Sequence, residues 1–196
     1  MEKHMIELAD IHFSYPQSDF SLNIKELHIA RGNKTAVIGP SGFGKTTLLN
    51  LLAGILLPDS GDIKVAGESL THLPEKARRN FRIQNIGFVF QDFRLIPYLN
   101  ILDNMLLPFR INSILSMEKN SRQSAIQLAA DLGLEGKLKK YPAKLSHGER
   151  QRVAICRALV HMPPVILADE PTGNLDPQNK EKIMEILFDY VQKHQA

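Results

Sequence analysis

The sequence of 196 residues predicts an α/β protein with a mainly parallel core sheet, an N-terminal antiparallel β subdomain and a helical subdomain. Three observations carry that expectation. Residues 6–30 alternate apolar and polar side chains on either side of a turn at 16–19, the pattern of two antiparallel strands. Short apolar runs at 35–38, 86–90 and 165–168 then alternate with longer helical stretches, as parallel strands joined by crossovers do. Finally, the block from about 93 to 143 has helical periodicity and no strand pattern, so it is expected beside the sheet.

The elements follow in order. The run 35–38 reads as a buried strand and 45–53 as an apolar helix. A turn at 58–61 leads into a strand at 62–66, a short helix at 74–79 and a buried strand at 86–90. From 100 to about 133 the pattern is helical, broken at Pro108, and an amphipathic helix at 121–132 ends at Gly133. A helix at 149–161 is stopped by Pro163 and Pro164, a buried strand occupies 165–168, and 177–193 is the last helix. One domain over 1–196 is expected, with its core in about 1–92 and 144–196 and a helical subdomain in about 93–143.

Composition narrows the function classes. A formal net charge of +3 does not argue for a nucleic-acid partner, and none is expected. A single cysteine, Cys156, excludes an intrachain disulfide framework and reads as a small core residue. The N-terminus has no apolar signal core, and the apolar run 48–57 is interrupted by Asn50 and Gly54 and is too short to span a bilayer. Any membrane role is therefore expected through a partner.

Gly39, Pro40, Ser41, Gly42, Phe43, Gly44, Lys45 and Thr46 fit G-x-x-x-x-G-K-[ST], the phosphate-binding loop of P-loop NTPases, also called Walker A. The expected strand before it and helix after it supply the context that gives the motif meaning. The glycines let successive backbone N–H groups converge on an anion, and the helix N-terminus adds free donors and its dipole. Lys45 is expected between the β- and γ-phosphates, Thr46 on Mg²⁺, and Thr47 in the same nucleotide-binding turn. The apolar run 165–168 ends in Asp169 and Glu170, a Walker B pattern. Asp169 is expected near Mg²⁺, and Glu170 is expected to polarise an attacking water.

Between these two motifs stands Leu145-Ser-His-Gly-Glu-Arg-Gln-Arg152, which resembles the signature motif of ATP-binding cassette (ABC) ATPases. Tyr15 then resembles the aromatic residue that stacks on adenine, Gln91 the glutamine of the Q-loop, and Leu175-Asp176 the D-loop. The motifs stand in family order over almost the whole chain. Residues 88–97 and 170–176 are similar to ATPases of the lipoprotein-releasing and macrolide-exporter type. The resemblance implies an ATP-hydrolysing subunit that uses ATP and Mg²⁺ and forms a homodimer with a second copy. It also implies an integral membrane permease subunit as partner, at the cytoplasmic face of the bacterial inner membrane. Glu170, Lys45 and Gln91 would be catalytic, and Thr46, Gln91 and Asp169 would hold the metal. Ser146 and Gly148 of one copy would close over ATP on the other, with Asp176 at the seam and the helix from Glu149 aimed at the γ-phosphate.

Two departures qualify that expectation. His147 stands where glycine is the common choice in the signature. The family carries a switch histidine beyond the helix that follows the D-loop, and His194 has no apolar strand before it and is not assigned that role. On this reading a hydrolysis-impaired nucleotide-binding or regulatory module is the alternative. Among lesser signals, Arg78, Arg79 and Arg82, and likewise Lys137, Lys139 and Lys140, read as solvated charge. The apolar run Phe93 to Tyr98 reads either as local core or as part of a groove for a partner's helix.

Overall fold

The computed structural model describes residues 4–118, 120–173 and 177–196, without the side chains of Gln178 and Asn179. Strands β1 (His4–Ser14) and β2 (Ser21–Ala30) form a long antiparallel hairpin, with Leu8 opposite Leu27 and Phe13 opposite Leu22. The other edge of β1 pairs with β3 (Ser60–Val65), and β4 (Glu68–Ser69) completes the order β2-β1-β3-β4. The buried residues of β1 change phase between Leu8 and Ile11, and the register with β3 shifts over the same stretch, from Ala9 to His12. An irregularity of this kind lets one strand keep two apolar segments on the same core face.

Helix α1 (Lys45–Leu52) buries Leu48, Leu51 and Leu52 in the core under this sheet, with Ile63, Val65 and Leu167. Helix α2 (Glu75–Asn85) runs six residues past its expected end. It carries a correction to the basic cluster. Arg78 Nε donates to Gly54 O at 2.9 Å, and Arg82 Nη1 donates to Ala53 O and Gly54 O at 3.1 and 3.0 Å. Both guanidinium groups thus serve the carbonyls that α1 leaves unpaired at its C-terminus, where positive charge is favoured. Arg79 remains exposed beside Glu75.

Strands β5 (Ile86–Val89) and β6 (Val165–Ala168) pair in parallel, Ile86 with Val165 through Val89 with Ala168. Helix α6 (His147–Leu159) passes close to β5: a Cβ on Gly87 would stand 2.4 Å from Ala158 O. Helices α3 (Ile101–Met105), α4 (Leu107–Ile111), α5 (Ser121–Asp131) and α7 (Pro177–His194) complete the chain. Ile101, Met105, Ala129, Ile155, Ile183 and Leu187 join α3, α5, α6 and α7 in a second core. Cys156 lies fully within it, and burial pushes its thiol pKa up, as befits an inert packing residue.

Two further expectations change. Residues 35–38 form no strand and are not buried: Val37 is 47% and Ile38 92% exposed. Thr35, Ala36 and Val37 line a cavity of about 430 Å³ together with the residues of β6. An apolar run becomes a strand only when an adjacent edge takes up its backbone groups, and here the cavity separates the run from the free edge of β6. The parallel sheet among the described residues therefore has two strands. The run from Phe93 to Tyr98 divides, with Leu95 packed on the second core and Tyr98 77% exposed.

Candidate functional site

The phosphate-binding loop joins the unpaired segment to α1. Gly42 and Gly44 both adopt positive φ, 85° and 86°. Gly44 is the residue before α1, and a Cβ there would come within 2.6 Å of Phe20 Cζ, so backbone conformation and packing both demand glycine. No side chain caps the start of α1. Its first amides are therefore left for a ligand, the arrangement that binds phosphate at a helix N-terminus. Lys45 Nζ donates to Gly39 O at 2.7 Å and Pro40 O at 2.8 Å, folded over the loop it would share with an anion. Ser41, Phe43 and Thr46 are exposed around it.

Tyr15 stands at the end of the β1–β2 hairpin beside α1. Its hydroxyl shares a 3.1 Å hydrogen bond with Thr47 Oγ1, and its ring meets Phe13 edge-on at 4.9 Å. Thr47 is buried, so its hydroxyl is committed to this contact. The tyrosine is therefore fixed against the helix that follows the loop, with the residue 38% exposed.

The parallel pair brings the second group of residues together. Asp169 N donates to Val89 O at 2.9 Å, which continues the β5–β6 ladder one step and sets Asp169 at the carboxyl end of both strands. Ligand sites of open α/β sheets lie at that end. The Asp169 residue is 7% exposed. Glu170 takes φ 48°, unusual for a residue with a side chain. Gln91 Nε2 donates to Glu170 Oε2 at 3.0 Å, joining the second residue after β5 to the second carboxylate. Lys45, Asp169 and Glu170 line one cavity.

Ser146 and Gly148 do not line that cavity. Ser146 precedes α6, which begins at His147, two residues earlier than the sequence suggested. Its Oγ accepts from Glu149 N at 3.2 Å while Glu149 Oε2 accepts from Ser146 N at 2.8 Å, a reciprocal capping box. Glu149 also pairs with Lys137, correcting the solvated reading of that lysine. The Lys137 contact and then the Ser146 amide hold the Glu149 carboxyl below its ordinary pKa. His147 turns toward Phe93, with ring centroids 4.7 Å apart and planes at 68°. Arg157, on the same helix, donates to Arg94 O at 2.6 Å and Phe93 O at 2.5 Å. Burial lowers its pKa to about 10, which leaves it charged at neutral pH.

The segment after Gln91 is thus tied twice to α6. Phe93 and Arg94 both sit at positive φ, 61° and 46°, where such ties compensate backbone strain. Sequence reading missed Arg157 and Asn104. Asn104 is fully buried, accepts from Ile96 N and donates to Ile96 O, Leu99 O and Asn100 O. No local spacing signals either residue, because their partners lie on a loop without periodicity. The capping box did have a signal, S-x-x-E at 146–149. Asp176 lies outside the described residues.

The donors fit a nucleotide with Mg²⁺: open amides and Lys45 suit phosphate oxygens, and the Asp169 carboxylate and Thr46 hydroxyl are hard oxygen ligands. Among the described residues no helix is long and apolar enough to cross a membrane.

Comparison with known proteins gives the family. The family model for the ABC transporter matches residues 22–173. The uncharacterized ABC transporter ATP-binding protein YbbA of Escherichia coli K12 is 43% identical over 195 residues, covering 98% of this chain and 85% of that protein. The lipoprotein-releasing system ATP-binding protein LolD of Bacteroides thetaiotaomicron is 41% identical, covering 94% of this chain and 84% of that protein. The dimeric structure of MJ0796, a bacterial ABC transporter cassette, superposes with a TM-score of 0.83 at 36% identity, over 93% of this chain and 81% of that one. A post-hydrolysis dimer of the same cassette bound to ADP and Pi gives 0.82 at 34%, with the same coverage. With the family model matching residues 22–173 and relatives 41–43% identical along almost the whole chain, this chain belongs to the ABC transporter family, as one of its ATPase cassettes.

Proposed function

We propose that this chain binds and hydrolyses ATP as a subunit that dimerises around the nucleotide and drives an integral membrane permease at the cytoplasmic face of the bacterial inner membrane. The observation that carries the reading is the convergence of Lys45, Asp169 and Glu170 on one cavity, with Gln91 bonded to Glu170. The loop from Gly39 to Thr46 and the open start of α1 would bind the β- and γ-phosphates. Mg²⁺, held by Thr46, Asp169 and Gln91, would neutralise charge on the phosphate oxygens. Glu170 orients the attacking water and takes up its proton as the water oxygen bonds to the γ-phosphorus. The bond to the bridging oxygen breaks, giving ADP and inorganic phosphate. Tyr15 offers its exposed ring to adenine.

Ser146 and Gly148 stand away from this cavity, which supports a composite site in which they complete the site of a second copy. The dimeric structures of the MJ0796 cassette support the same assembly. Asp176 is assigned to the seam on sequence alone. One ATPase domain with residues 93–143 as its helical part accommodates all these roles.

Lys45→Ala tests the binding half of the proposal. Losing a charge-assisted contact worth about 1.5–3 kcal/mol lowers ATP affinity roughly 10- to 100-fold in equilibrium binding. Unchanged affinity would remove the loop from the site. ATP binding without turnover, for the chain alone and with its membrane partner, would favour a nucleotide-binding module instead.

A further inference from the structure

We propose that the outer rim of the N-terminal hairpin holds a divalent-cation site of the zinc class, made by His4, Glu7 and His28 with Glu26 behind it. One ligand atom from each of His4, Glu7 and His28 lies within 4.8 Å of the others. The site is separate from the nucleotide cavity, whose lining includes none of these residues.

The backbone explains why the three meet. Glu7 stands directly opposite His28 in the antiparallel ladder, so their side chains share a face. His4 and Glu7 are three positions apart and would fall on opposite faces of a regular strand. The register shift between His4 and Ile6, where β1 advances two residues against one on β2, turns His4 onto the face of Glu7. Glu26 lies two residues from His28 on β2 and shares that face as well.

The ring chemistry then fits a metal. His28 Nε2 is 2.6 Å from Glu26 Oε1, a contact in which the ring donates to the carboxylate. A proton held there leaves the Nδ1 of neutral His28 with its lone pair exposed. That Nδ1 faces His4 Nδ1 at 3.1 Å. Two imidazole nitrogens each about 2.0–2.1 Å from a tetrahedral Zn²⁺ stand roughly 3.3 Å apart, so the pair needs almost no rearrangement. A carboxylate behind a ligating histidine is the arrangement that fixes its tautomer and raises its basicity. Two imidazoles and one carboxylate suit Zn²⁺ and its neighbours in the transition series, whereas Mg²⁺ prefers oxygen throughout. Three protein ligands leave a fourth position for water. A bound ion would tie the start of β1 to the end of β2 and so clamp the hairpin that carries Tyr15 at its other end.

The test is equilibrium dialysis and titration calorimetry of the untagged full chain with Zn²⁺ alone, at neutral pH and with millimolar Mg²⁺ present. One equivalent is expected to bind. His4→Ala and His28→Gln should each weaken binding at least tenfold, and Glu26→Gln by roughly 10- to 100-fold as the supporting carboxylate is lost. Co²⁺ bound to the parent chain should give the visible absorption of tetrahedral coordination, and the two histidine variants should lose it. ATP binding by the same variants, measured in parallel, reports that each is folded. Absence of Zn²⁺ binding, or binding that the folded variants retain at parental affinity, would overturn the proposal.

Discussion

At the residue scale, burial and pairing decide which charged groups act and which only hold the fold. Arg157 is a buried cation whose two terminal nitrogens each donate to a carbonyl, of Arg94 and Phe93, so its work is to position the segment after Gln91. His161 shows burial acting on stability. Its surroundings desolvate the ring and push its pKa down to about 4 from an ordinary 6.5. The unfolded chain takes up a proton at this residue below pH 6.5, while the folded chain resists until about pH 4. The stability this site contributes is therefore complete above pH 6.5 and is lost as pH falls through that window, by roughly 3 kcal/mol at most. Urea titrations of His161→Gln at pH 7 and pH 4.5 should show a smaller loss between the two than the parent shows. An equal loss would mean that His161 does not titrate on unfolding.

At the element scale, the motifs with a local physical cause were legible and those that depend on a distant partner were not. The phosphate loop could be read because glycine spacing and the N-terminus of α1 are local requirements, and Gly42 and Gly44 duly sit at positive φ. The hairpin of β1 and β2 could be read from alternation alone. Residues 35–38 had the apolar composition of a strand, but composition cannot say whether an edge is within reach to pair with it. Arg78 and Arg82 looked like surface charge because nothing nearby in sequence reveals that the end of α1 needs donors. Gly87 was equally silent: its role is the approach of Ala158 O across the β5–α6 contact. Gly87→Ala forces a Cβ into a 2.4 Å contact with backbone, so helix or strand must shift. A loss of about 1–3 kcal/mol is expected in chemical denaturation. A variant as stable as the parent would show that this packing is looser than described.

At the scale of the whole molecule, the fold sets the residues of the proposed composite site on two surfaces. The end of the parallel strands gathers Asp169, Glu170 and Gln91 with the loop before α1, while Ser146 and Gly148 stand at the start of α6, outside the cavity's lining. His147 and Arg157 link these surfaces within one chain, because both hold the segment that follows Gln91. On the proposed function, a change at Gln91 has a direct mechanical route to α6. The central claim is that Glu170 performs the chemistry on ATP that the rest of the site binds. Steady-state ATP hydrolysis by Glu170→Gln, with ATP binding and dimer formation measured on the same sample, tests it most directly. Loss of the carboxylate base should lower turnover by about 10²-fold or more while ATP binding persists and the ATP-bound dimer accumulates. Hydrolysis at the parent rate would contradict the account.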